Sequence, residues 1–128
     1  MNTKTIRMMI ITAALLVSSS ALTLAFEASK EDAALSAKLI RALQTADYSS
    51  YIADGTTAFK KMKPEQFNAV ATRLAPKLKA GHEVSYLGEL KQKGHHITLW
   101  KVSFQDGSDD ALARLSMKDG KVGSFGIR

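Results

Sequence analysis

An α+β domain is the fold class this sequence predicts, with helices first and an antiparallel sheet after them. Three observations point to it. Apolar residues recur at three- and four-residue steps as far as about residue 80. Beyond Gly81 that period gives way to two-residue alternation. Two dipeptides, Lys93-Gly94 and Asp119-Gly120, then interrupt the alternation at hairpin spacing. The expected layout is three helices packed on four strands.

The first helix is read in "SKEDAALSAKLIRALQTADY", where Ser29 can cap and Asp32 follows three residues on. Leu35, Leu39, Ala42, Leu43 and Ala46 make one apolar stripe, with Lys38 and Arg41 off it. "DYSSYIADGTTAF" reads as a short second helix, capped by Asp47 and ended by Gly55. "KPEQFNAVATRLAPKLKAG" is the third. Pro64 suits its first turn, and Phe67, Val70, Ala71, Leu74 and Leu78 form its buried stripe. Pro76 removes one backbone bond, so a kink or a weakened last turn is expected before Gly81.

"HEVSYLGELKQ" alternates Val84, Tyr86 and Leu90 against Ser85, Glu89 and Lys91. In "HHITLWKVSFQ", Trp100, Val102 and Phe104 share one face and Ile97 and Leu99 the other. Such a strand is covered on both faces or carries a bulge. "ALARLSMK" and "KVGSFGIR" form the closing hairpin around Asp119-Gly120.

Residues 1–25 stand apart from this domain. Lys4 and Arg7 precede an apolar run from Met8 to Val17, and a serine triplet leads to small residues. That is the layout of a secretory signal peptide, with cleavage expected after Ala25, or else after Ala21. An uncleaved anchor is the competing reading, since residues 6–26 approach the ~20 needed to span a bilayer. The chain has no cysteine, so neither a disulfide nor a lipid-bearing cysteine is available. An exported domain without disulfides fits a periplasm. Removing Lys4 and Arg7 leaves 16 basic side chains against 12 acidic ones, a net charge of +4, over a single domain at 26–128. That excess favours anionic surfaces weakly.

The order of elements, with "ALQTADYSSYIADGTTAFKKM", "LAPKLKAG" and "FQDG…LSMKDGKVGSFGI", resembles small secreted bacterial domains of unknown function in the cystatin-like, nuclear transport factor 2-like superfamily. The resemblance covers about residues 33–127 and rests on no catalytic signature. It implies a cystatin-like roll: a curved sheet wrapped around the helices, often with a cavity between them, and frequent dimers through the sheet. Members include isomerases, dehydratases and binding modules, so the fold does not choose the function.

Candidate chemistry is sparse. His95 and His96 are consecutive in a strand and point to opposite faces, and His82 lies ~30 Å from the turn at 93–94 along an extended strand. With no helical His pair, no metal site is expected, and the histidines read as polar residues at a strand's edge. Asp106, Asp109 and Asp110 lack the closing glutamate of a calcium loop and read as a turn. Lys60, Lys61, Lys63, Arg73, Lys77 and Lys79 cluster around the third helix, as an anionic-membrane contact or as an ordinary solvated face. No aromatic-interleaved basic groove suggests nucleic acid.

Asp47, Tyr48, Tyr51 and Asp54 are the one group suited to acid–base work, and read equally as cap and core. Tyr51, Phe67, Trp100 and Phe104 are either core or the lining of a ligand pocket. The reading that results is an exported, non-enzymatic binding or interaction module without a cofactor. Its partner is an unidentified small molecule or protein, or a second copy through the sheet. The alternative is a small-molecule isomerase or dehydratase.

Overall fold

The structure, a computed structural model, describes residues 27–128. The signal peptide read over residues 1–25 lies outside the described residues. Among the described residues, four helices precede four strands: α1 (Lys30–Thr45), α2 (Tyr48–Ile52), α3 (Thr57–Lys60), α4 (Pro64–Lys79), β1 (His82–Gln92), β2 (His95–Phe104), β3 (Ala111–Lys118) and β4 (Lys121–Ile127). The strands form one antiparallel sheet in the order β1-β2-β3-β4. This is an α+β domain with its helices packed on one face of a bulged sheet.

Local chemistry sets the helix ends. Ser29 Oγ accepts from the Asp32 N–H, and Asp47 accepts from the Ser50 N–H. α3 is the helix that sequence patterning misses. It is a single turn capped by Thr56, and it buries Phe59. One turn is too short to show an apolar period. Gly55 stands between α2 and α3 because an added Cβ would run into the Phe59 ring. There the chain is bonded to β4, with Thr56 N–H to Val122 O at 2.9 Å and Val122 N–H to Asp54 O at 2.9 Å.

α4 continues through Pro76 to Lys79, so the weakened last turn expected from proline is absent. The Ala80 N–H closes onto Pro76 O at 3.1 Å and the Gly81 N–H onto Leu78 O at 3.2 Å. The carbonyl that proline leaves unbonded belongs to Thr72, an exposed residue that water can serve.

Both tight turns take the left-handed backbone that hairpins favour: Lys93 and Gly94 at φ 50° and 78°, Asp119 and Gly120 at 51° and 74°. Register then departs from simple alternation. Tyr86 pairs with Trp100 and Gly88 with Leu99, leaving Leu87 as a bulge. The bulge reverses the faces beyond it. Glu89 and Lys91 therefore join Val84 and Tyr86 on the helix side, while Leu90 moves to the outer side opposite Ile97. Strict alternation puts Leu90 with Val84 and Tyr86, and the extra residue corrects it. A second bulge, at Gly123, lets Val122 and Phe125 share the inner face.

Leu39, Leu43, Phe67 and Leu74 from the helices meet Val102, Leu115, Val122 and Ile127 from the sheet in one core. β2 is buried on both faces where it crosses the middle, with Ile97 1% and Thr98 0% exposed. The bulges lie in β1 and β4, not in β2 itself.

Candidate functional site

α1 carries two faces. Leu39, Ile40 and Leu43 enter the core, and Ile40 also borders the space that Ala33, Ser36 and Ala37 leave toward the start of β1 and the middle of β2. The small side chains leave space there. A groove of about 540 Å³ runs between α1 and the sheet, lined further by Arg41, Gln44, Thr45, His82, Val84 and Trp100. That volume falls within the range of small-molecule sites.

Several contacts fix the groove's walls. The Trp100 indole N–H donates to Thr98 Oγ1 at 2.9 Å, and the Tyr86 ring packs on Trp100 with centroids 5.2 Å apart. His82 Nδ1 lies 2.9 Å from Leu78 O. A carbonyl only accepts, so Nδ1 carries the proton and Nε2 is the nitrogen left for another partner. Arg41 has no ion-pair partner among the described residues. Ser36 is 1% exposed, and its Oγ is a buried polar atom with no hydrogen-bond partner among the described residues. An unpaired buried hydroxyl costs about 1–3 kcal/mol, which an accepting or donating ligand would offset.

The far end of α1 has the opposite charge. His96 Nε2 sits 3.1 Å from Asp32 Oδ2 and 3.2 Å from Glu89 Oε2. Carboxylates accept, so Nε2 bears the proton and bridges the first turn of α1 to β1. Glu89 reaches this position only because the bulge at Leu87 turns it inward. Burial first, then the charges of Glu89 and Asp32, push the Tyr86 phenol up from its ordinary value.

The residues singled out in sequence do not assemble into one site. Tyr51 and Phe67 line a separate pocket of about 400 Å³ with Arg73, Phe125 and Arg128 at its walls. Trp100 belongs to the α1 groove, and Phe104 is core under the Lys77 ammonium, 5.7 Å from its ring centre. Tyr51 is 4% exposed, its hydroxyl 3.5 Å from Phe125 O, and burial pushes its phenol up to about 12.

Asp47 is exposed and held below the usual carboxylate range by the Ser50 hydroxyl and then the Ser50 N–H. Asp54 pairs with Lys38 at 2.7 Å, also in solvent. Tyr48 donates to Met62 O. Neither carboxylate lines either cavity described above, and each is bonded to an exposed partner instead, Ser50 for Asp47 and Lys38 for Asp54.

Lys60, Lys61 and Lys63 lie around α3 and the start of α4. Asp106 closes a turn through Ser108. His95 and His96 do point to opposite faces, but β2 is an interior strand, not an edge: His95 Nδ1 lies 3.2 Å from Ser116 Oγ. The Asp32–His96–Glu89 bridge has no sequence signal, because its members are 57 and 64 residues from the first.

No family model matches the chain, and no curated protein matches it. Among solved structures, the chain is similar to an uncharacterized cystatin-fold protein from Novosphingobium aromaticivorans. The two share 14% identity and a TM-score of 0.41, over 73% of this chain and 94% of the other.

Proposed function

We propose that this protein is an exported, periplasmic, non-enzymatic binding module of the nuclear transport factor 2-like type, holding a small molecule in the α1 groove. The groove with its unpartnered Ser36 hydroxyl carries this reading. A preformed apolar cleft with few fixed polar groups is the usual shape of a ligand site. The basic-apolar-small order of residues 1–25 supports export.

Native mass spectrometry of the chain purified from an exporting bacterium tests the groove. A retained small-molecule adduct is expected, lost in Ala37→Leu, where the added side chain fills the space. A mass equal to the bare polypeptide in both proteins counts against it. N-terminal sequencing of the periplasmic fraction tests export, with Phe26 as the expected first residue. Dimerisation through the sheet's outer face, where Leu112 is exposed, belongs to the same reading; light scattering giving only a monomer removes it. The isomerase or dehydratase alternative needs a carboxylate facing a cavity. Asp47 and Asp54 offer none, being spent on a cap and an ion pair.

A further inference from the structure

The geometry points to an amphipathic monoanion as the ligand of the α1 groove, a medium-length apolar body ending in a carboxylate or similar acid group; this rests on the binding-module reading above. The groove's chemistry is polarised along its length. α1 and β1 run in opposite directions across it. Asp32, in the first turn of α1, shares His96 with Glu89, near the end of β1, whereas Arg41, Gln44 and Thr45 line the same groove as His82, at the start of β1. One end therefore presents a guanidinium, an amide and an imidazole, and the other approaches two carboxylates.

None of the residues lining the groove is acidic. Arg41 has no carboxylate to neutralise it among the described residues, so a ligand anion would meet an unspent fork of donors. A cationic head is disfavoured at that end, and a second negative charge on the ligand is disfavoured at the other by Asp32 and Glu89. Between the ends the wall is Ala33, Ala37, Ile40, Val84 and Trp100, with the Ser36 hydroxyl the one unbonded polar group in it. From Ala33 to Arg41 α1 rises ~12 Å, which suits a medium-length acyl chain.

Trp100 is the chain's single tryptophan and forms part of this wall, so its fluorescence reports occupancy directly. The protein purified from an exporting bacterium is titrated with octanoate, 1-octanol and octylammonium, and the same titrations are run on Arg41→Gln and Ala37→Leu. Octanoate is expected to bind about tenfold or more tighter than octanol, and octylammonium weakest. Arg41→Gln should remove the octanoate advantage, bringing octanoate affinity down to that of octanol. Ala37→Leu, a helix-compatible change at an exposed position, should abolish the tryptophan response to all three.

Equal affinities for octanoate and octanol, or an octanoate advantage that survives Arg41→Gln, overturn the anion assignment and leave the groove standing. A silent Trp100 with every probe, in both the original chain and Ala37→Leu, overturns the groove as a ligand site altogether.

Discussion

Single side chains in this protein are explained by what burial does to their polar ends. Tyr51 is enclosed by Phe59, Phe67 and Phe125, and only a long 3.5 Å contact serves its hydroxyl. Its phenol is raised to about 12, from about 10 in an unfolded chain. The folded state thus holds this proton more tightly. The associated stability is fully present below pH ~10 and is lost as pH rises toward ~12, by up to roughly 3 kcal/mol. Urea midpoints at pH 8 and pH 11.5 should fall further apart in the original chain than in Tyr51→Phe; equal drops would show that the phenol does not titrate there.

Asp47 behaves in the opposite sense. Its carboxyl is depressed by Ser50, so its contribution holds above pH ~4 and disappears as acid protonates it. Asp47→Asn should lower the urea midpoint at pH 7 and leave it unchanged near pH 2.

At the scale of elements, the bulge in β1 decides more than any helix. Leu87 is the extra residue, and Gly88 follows at φ 154°, a backbone that side-chain-bearing residues rarely adopt. Nothing lies within 4 Å of an added Cβ, so Gly88→Ala isolates the backbone strain, and a loss of about 1–3 kcal/mol is expected in urea unfolding. Downstream of the bulge, Glu89 meets His96, which also takes the 8%-exposed Asp32. His96→Ala leaves that buried carboxylate without its partner and should cost about 1–3 kcal/mol. In Asp32→Asn the same substitution should cost less, and a double-mutant cycle with no coupling would show the bridge to be idle. Hydrogen exchange should place the effect in the first turn of α1.

Every strand and both turns can be read in the sequence, because period-two alternation and Lys-Gly or Asp-Gly pairs are local signals. Leu90 is misassigned by alternation because a bulge carries no more sequence signature than one extra residue. α3 escapes for a similar reason: a Thr cap and four residues leave no period to detect.

For the molecule as a whole, one core joins both layers, and Phe67 and Leu74 from α4 belong to the same buried cluster as residues from β2, β3 and β4. Far-UV circular dichroism, which follows the helices, and Trp100 fluorescence, which follows the sheet, should therefore unfold in one coincident urea transition. Phe67→Ala should shift both together by about 3–5 kcal/mol. Separate midpoints would show that helices and sheet are held independently.

The α+β class, the succession of helices then strands apart from α3, the caps at Ser29 and Asp47 and the tight turns are all legible in the chain. Each follows from residues within a few positions of one another, where backbone geometry ties spacing to a face. Which small residues of α1 line the groove beside Trp100, which carboxylates His96 bridges, and that Asp54 pairs with Lys38 are visible only once the chain is folded. Those outcomes depend on register and on helix rotation over the sheet. Both are set by how the whole core packs, so no short stretch of the chain encodes them.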